Sequence, residues 1–354
     1  MIDKKIYSKE YIDEVMLTQK CDPTILERTI FAFGLLEALV AVGARFIFKG
    51  GTSLMLLMDT PLRLSTDIDI IAEPGIDMEV YVKKASEVYP FVGYEENKRK
   101  GANNIVKQHF RFFFRSVLQQ GKEISVLLDI LYEENHYANV IEREIHNSIV
   151  CTEGLPTMVI VPSVESILGD KLTAFAPHTI GVKPVTEYEN RIIDKKIEVV
   201  KQFFDVASLY DVAENQREIT ESYFNTAGAE IRYRGLNISP EECLRDTFNS
   251  ALSIYSKGKF YAEDYKDYLF GIRGLGGFLI NTKFNGETVF RQAAKVMYLS
   301  ACILNDKSIT QEVPEAELLT GEYAKLNQTR KIDRKAFDMM AYSLRLMEDF
   351  SGKV

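Results

Sequence analysis

Two stretches decide how this chain reads: Lys49-Gly50-Gly51-Thr52-Ser53-Leu54, then Arg63-Leu64-Ser65-Thr66-Asp67-Ile68-Asp69. The first follows the apolar run Phe46-Ile47-Phe48, which predicts a short strand entering a Gly-Gly turn. A helix is expected to resume over Leu54 to Met58. Two glycines at such a junction let an anion approach the backbone closely, and N–H groups at a helix start favour negative charge. Thr52 or Ser53 can add a hydroxyl. A Gly-Gly turn with no anion-binding role is the plain alternative. In the second stretch Asp67 and Asp69 interleave with Ile68, Ile70 and Ile71. That alternation predicts a strand with both carboxylates on one face. Neighbouring carboxylates repel unless a cation sits between them. Mg²⁺ suits the place, because it takes oxygen ligands and leaves room for waters and substrate phosphates. Two solvated acids on an exposed strand are the alternative, and the isoleucines argue against it, since unpaired acids on a buried strand are costly.

Working outward, Asp22-Pro23 predicts a helix start, with Asp as N-cap and Pro in the first turn. Leu26, Ile30, Phe33, Leu36 and Val40 follow at helical spacing, and Gly43 can end the helix. Downstream, residues 77–89 suit a helix, and Phe91 to Glu95, His109 to Val117 and Glu123 to Leu131 suit strands. Asp129 sits inside the apolar run Ile124 to Leu131, where a charge needs a partner or a metal. On adjacent strands, Asp67, Asp69 and Asp129 would form a two-metal carboxylate cluster suited to in-line attack on a phosphorus. An Asp capping a strand end is the other reading of Asp129. After about residue 160 the pattern turns helical over 163–176, 191–213, 217–232, 262–280, 286–305 and 333–349, with no further strand expected. The fold class expected is α+β: an α/β core with a mixed sheet over residues 1–160, followed by a mostly α-helical domain over 161–354.

The same residues resemble the DNA-polymerase-β-like nucleotidyltransferase superfamily, whose signature is a Gly-Gly or Gly-Ser turn, a gap, Asp-x-Asp and a third Asp on a later strand. The longer gap, Gly50 to Leu54 and Arg63 to Asp69 are similar to the AbiEii/AbiGii toxin family of bacterial abortive-infection toxin–antitoxin systems. Pro162, Leu168, Lys171, Leu172 and Ala174 match that family's helical lysine segment. Lys201 to Leu209 keeps the second Asp of a later motif, Asp205, but lacks the first. The resemblance covers roughly residues 30–215. It implies a Mg²⁺- or Mn²⁺-dependent transfer of a nucleoside monophosphate from an NTP to an acceptor hydroxyl, with tRNA as one acceptor and an antitoxin encoded nearby. It implies Asp67, Asp69 and Asp129 as metal ligands, with Asp129 also a candidate base. Gly50, Gly51, Thr52, Ser53 and Ser65 become nucleotide contacts. Lys171 meets the triphosphate as a point charge, and Asp205 orients or helps activate the site. Without the resemblance, Lys171 reads as a snorkelling surface lysine and Asp205 as an exposed helical acid.

Composition narrows the remaining classes. The 354 residues are 46% hydrophobic and 27% charged, which is globular. Lys and Arg number 43 against 51 Asp and Glu, a net charge of −8, which argues against general coating of nucleic acid. One basic patch stands out at 98–115: Lys98, Arg99, Lys100, Lys107, Arg111 and Arg115. It can guide an RNA backbone, or simply solvate a hairpin tip. Cys21, Cys151, Cys243 and Cys302 are widely spaced and read as reduced thiols, and His109, His136, His146 and His178 lack metal-ligand spacing. No signal-peptide-like start or membrane-length apolar run is present, so a cytoplasmic protein is expected. The glycines at Gly271, Gly274, Gly276 and Gly277 lack a preceding strand and read as close helix packing or a kink rather than a phosphate loop. Two other functions keep the same fold: a nucleotide (GTP) binder without turnover, and a small-molecule (antibiotic) nucleotidyltransferase.

Overall fold

The computed structural model describes residues 1–58, 60–97, 106–188, 191–310 and 312–351. The turn expected at 98–104, including Lys98, Arg99 and Lys100, lies outside the described residues, as does the end of the loop expected over 177–190. Two units divide the chain: Met1–Val164 with Gly277–Thr282, and Glu165–Gly276 with Lys283–Val354.

In the first unit, helix α1 (Lys9–Thr18) precedes α2 (Pro23–Ala41). Asp22 caps α2, its carboxylate accepting the N–H groups of Thr24 and Ile25 at 2.8 and 3.0 Å. Five strands follow: β1 (Ile47–Lys49), β2 (Asp67–Ala72), β3 (Gly93–Glu96), β4 (Val106–Arg115) and β5 (Glu123–Tyr132). Between them lie helices α3 (Gly50–Leu57) and α4 (Glu79–Ser86). The sheet order is β1-β2-β5-β4-β3. Only β2 and β5 run parallel, so the sheet is mixed.

Strand alternation gives this sheet two unlike faces. Phe48, Ile68, Ile70, Phe110, Phe112, Phe114, Val126, Leu128 and Ile130 are buried on one face. Helix α2 packs against β2 and β5, and its Phe31 stacks on Phe114 with ring centroids 3.7 Å apart. Beneath α2 the buried Glu27 accepts hydrogen bonds from the Ser116 hydroxyl (2.8 Å) and the Val117 N–H (2.7 Å). That satisfies a carboxylate that would otherwise be costly to bury, and ties α2 to the turn between β4 and β5. The opposite face carries Lys49, Asp67, Asp69, His109, Arg111 and Asp129.

A two-stranded ribbon, β6 (Val140–Glu144) with β7 (Met158–Pro162), lies against β1. The segment Gly277–Thr282, which leaves the short 3-10 helix Leu275–Phe278, returns to this unit as a strap. Leu64 N–H donates to the Phe278 carbonyl (2.7 Å) and Ile280 N–H to the Leu62 carbonyl (2.9 Å), with Arg63 opposite Leu279.

The second unit is mostly helical: α5 (Val164–Ala174), α6 (Lys196–Tyr210), α7 (Gln216–Arg234), α8 (Pro240–Tyr255), α9 (Ala262–Gly274), α10 (Val289–Leu304) and α11 (Arg334–Ser351). Helix α10 is its apolar centre and packs on α6, α8 and α11. Glycines bring α9 close to α6. A Cβ on Gly271 would strike the Lys196 carbonyl, and one on Gly274 would fall 2.6 Å from Ile197 Cδ1. Close packing, as the sequence context predicts, holds for Gly271 and Gly274, whereas a Cβ on Gly276 would meet nothing within 4 Å and one on Gly277 only an ordinary contact.

Several expectations need correcting. Helix α3 starts at Gly50 rather than at Leu54, so the glycines are its first turn. Strands do continue near and beyond residue 160: β7 runs to Pro162, and β8 (Val185–Tyr188) pairs with β9 (Arg191–Asp194). The hairpin therefore replaces the start of the helix expected from 191. Helix α8 falls where no helix was expected. Among the described residues, no helix is long and apolar enough to cross a membrane.

Candidate active site

The site of the first unit begins where β1 turns into α3. Gly50 has φ +78°, a left-handed conformation that side chains rarely adopt. A Cβ there would strike Asp69 Oδ2 and lie 2.8 Å from Asp69 Cγ. The Asp69 carboxylate therefore packs directly on the backbone of the turn. At Gly51 a Cβ would fall 2.6 Å from Arg63 Nη2 and 2.9 Å from Ser65 Oγ. These glycines thus let a carboxylate, a guanidinium and a hydroxyl crowd the first turn of α3. The N-cap residue of α3, Lys49, does not cap it with its side chain. The leading N–H groups of α3 have no partner within the helix, which is the geometry of an anion site.

Thr52 and Ser53 are both buried. The Thr52 hydroxyl donates to the Asp67 carbonyl at 2.6 Å, and the Ser53 hydroxyl to the Gly50 carbonyl at 2.9 Å. Their hydroxyls thus brace α3 and β2. Arg63, only 6% exposed, donates from Nη1 to the Leu64 carbonyl at 3.0 Å. The strap Gly277–Thr282 holds the backbone on either side of it.

Across the open face of the sheet, register assembles the acids. Asp67 and Asp69 lie two residues apart on β2, and the parallel β2–β5 ladder sets Asp69 opposite Asp129. On the outer side of β2, Lys49 stands opposite Asp69. On the far side of β5, His109 stands opposite Asp129, with Nδ1 2.7 Å from Oδ1. The Thr66 hydroxyl reaches Asp67 Oδ1 at 3.2 Å. Three carboxylates on one face are the oxygen-donor chemistry of a hard divalent cation. Among the described residues, however, no three His, Cys, Asp or Glu side chains converge closely enough to hold a metal as they stand. The acids are gathered by strand register, while the Asp129 side chain is turned toward His109.

The second unit holds the other two expected residues, and it brings them together. Lys171 on α5 and Asp205 on α6 are 5% and 2% exposed. Lys171 Nζ lies 3.0 Å from Asp205 Oδ2 and donates to Gln202 Oε1 at 2.9 Å. The readings of a snorkelling lysine and an exposed acid are thereby overturned. Burial of both charges is tolerable because each is the other's partner.

Two groups escaped the sequence reading. His109 has no metal-ligand spacing along the chain, and its link to Asp129 is a cross-strand one. Gln202 completes the Lys171 pair and carries no signal of its own.

A family model described as nucleotidyl transferase AbiEii toxin, type IV TA system, matches residues 34–274. The chain belongs to this AbiEii family. A comparison with curated proteins finds no match. The AbiEii span runs from within α2 to the end of α9 and contains every candidate residue from Gly50 to Asp205. Membership makes the chain a nucleotidyltransferase toxin of a type IV toxin–antitoxin family.

Proposed function

We propose that this AbiEii-family chain transfers a nucleoside monophosphate from an NTP to an acceptor hydroxyl and releases pyrophosphate, an activity of the EC 2.7.7 type. The observation that carries the reading is the placement of Asp67, Asp69 and Asp129 on one sheet face, with Asp69 packed on the Gly50 turn. Asp67, Asp69 and Asp129 would hold Mg²⁺ or Mn²⁺, which supplies charge neutralisation for the phosphates and the leaving group. The N–H groups of the Gly50-Gly51 turn take a phosphate, with the Ser65 hydroxyl beside them. Thr52 and Ser53 serve that turn through the bonds that brace it. Lys171 supplies a charge for the triphosphate, and Asp205 holds that ammonium in place. The 1–160 and 161–354 halves would then be a catalytic domain and a helical domain that completes the site and takes the acceptor.

The acceptor we favour is the hydroxyl of an RNA such as tRNA. On β4, Lys107, Arg111 and Arg115 recur every fourth residue on the face that carries Asp129, and all three are exposed. Four residues of strand span about 13 Å, so the three cations form a basic stripe along which a phosphate backbone can run. A cognate antitoxin and a cytoplasmic setting complete the picture. The test is incubation of the full chain with labelled NTPs, Mg²⁺ and total tRNA, beside Asp69→Asn. Label appearing in RNA with wild type alone supports the reading. No transfer with any NTP, and equal effects of the two proteins on growth, would refute it.

A small-molecule acceptor is the second reading. A half-open cavity of about 650 Å³ in the helical unit, lined in part by Tyr210, Leu299, Arg291 and Lys295, supports it. That volume suits a drug-sized molecule. Labelled small molecules without labelled RNA would favour it.

A further inference from the structure

Gly51, in the first turn of α3, is a meeting point for polar groups. A Cβ built there would fall 2.6 Å from Arg63 Nη2, 3.2 Å from Arg63 Nη1 and 2.9 Å from Ser65 Oγ. A guanidinium and a hydroxyl therefore crowd one point beside the start of the helix. The guanidinium is buried, so water screens its charge poorly. The Ser65 hydroxyl is half-buried and makes no hydrogen bond among the described residues. The helix start adds N–H groups that have no partner within α3. Arginine offers only donors, and a serine hydroxyl can donate. A fixed positive charge, a spare hydroxyl and helix-start N–H groups together match the oxygens of a phosphate.

Anchoring the loop does not account for the arginine. The strap already holds the backbone on both sides of it, through Leu64 N–H to the Phe278 carbonyl (2.7 Å) and Ile280 N–H to the Leu62 carbonyl (2.9 Å). The bond from Arg63 Nη1 to the Leu64 carbonyl (3.0 Å) needs a donor but no charge. The acids of the same unit stand differently, since among the described residues no three of them converge to hold a metal. The donors for an anion are thus gathered where the ligands for a cation are not. We propose that Arg63 and Ser65, set around Gly51, form a polyphosphate site that works without a divalent cation. Ser65 Oγ donates to a phosphate oxygen, Arg63 supplies the counter-charge, and the N–H groups of the turn complete the cradle. This rests on the reading of the Gly50-Gly51 turn as a phosphate site given above. It adds Arg63 to that site and makes its grip on the triphosphate independent of metal.

The experiment titrates the full chain with sodium tripolyphosphate in excess EDTA, followed by calorimetry. Tripolyphosphate carries the part common to all NTPs and no base. The variants are Arg63→Met, Arg63→Lys and Ser65→Ala, each with a thermal midpoint. Wild type should bind. Arg63→Met should bind about 10–100-fold more weakly, the loss expected when a charged hydrogen-bonding partner is removed. Arg63→Lys should recover part of that loss, because an ammonium keeps the charge without the planar fork. Ser65→Ala should lose about 2–10-fold and melt with wild type, since its hydroxyl has no partner to give up. In the transfer assay, Arg63→Lys should raise KM for NTP more than it lowers kcat. No binding by wild type in EDTA would overturn the proposal. So would wild-type affinity in both Ser65→Ala and Arg63→Lys, the two variants that decide the matter if Arg63→Met does not fold. If wild type transfers no nucleotide yet binds tripolyphosphate through Arg63, the parent reading fails and the phosphate site stands. If wild type transfers nucleotide but binds no tripolyphosphate without metal, only the present inference fails.

Discussion

Replacing Gly50 by alanine tests whether the turn and Asp69 are packed as one piece. Two costs should appear. The backbone cost comes from φ +78°, where a residue with a Cβ pays about 1–2 kcal/mol. The packing cost comes from the Asp69 carboxylate: the new Cβ strikes Oδ2 and sits 2.8 Å from Cγ and 2.9 Å from Cβ. Overpacking of that kind typically costs about 1–3 kcal/mol. The sum, roughly 2–5 kcal/mol, corresponds to a drop in Tm of about 4–20 °C for a unit of this size. Gly43 supplies the control. It has nearly the same φ, +81°, but nothing lies within 4 Å of its would-be Cβ. Gly43→Ala should therefore pay the backbone cost alone and keep activity, while Gly50→Ala melts lower still and loses nucleotidyl transfer. The assay is a pair of melting curves beside a labelled-NTP transfer assay. Equal Tm losses in the two variants, with transfer intact in Gly50→Ala, would refute the claim that Asp69 rests on the turn.

Two further outcomes follow from the helical unit. Lys171→Met leaves Asp205 buried without its cation, so chemical denaturation should show a loss of about 3–5 kcal/mol; adding Asp205→Leu should restore much of the stability but none of the activity. His178 is bonded to Asp246 through Nδ1 (2.8 Å) and to Asp264 through Nε2 (3.1 Å). The hydrogen bond to Asp246, opposed by partial burial, pushes its pKa from 6.5 up to about 9. A raised pKa stabilises fully below the unfolded value of 6.5 and is lost as pH rises through about 9. Urea midpoints should fall across that window in wild type and fall less in His178→Asn.

The parts legible in sequence are those coded by local pattern. Asp67 to Ile71 alternates, Asp22-Pro23 caps, and the apolar run around Asp129 forms a strand, because each signal lies within a few residues. Other features failed for identifiable reasons. Helix α8 carries a capping box, with Ser239 accepting from Glu242 N–H and Glu242 accepting from Ser239 N–H. That signal is local, three residues from Ser239 to Glu242, and precedes a helix with no strong apolar run at its start. The β8–β9 hairpin is short and largely exposed, so no alternation marks it. His109 meets Asp129 by register across an antiparallel ladder, and Lys171 meets Asp205 across two helices. Pairings of that kind depend on which elements become neighbours, and spacing along the chain does not encode it.

The strap at Gly277–Thr282 has a consequence for how this polypeptide can be divided. The chain passes from one unit to the other after Val164, returns at Gly277, and leaves again after Thr282. A fragment ending at Val164 would leave the Leu64 N–H and the Leu62 carbonyl without their partners, beside the buried Arg63. A cut at the end of the family match, residue 274, would do the same by three residues. The first unit is therefore discontinuous in the gene's order. Its last stitch, beside the loop bearing Arg63 and Ser65, can be made only after the helices up to α9 have been synthesised.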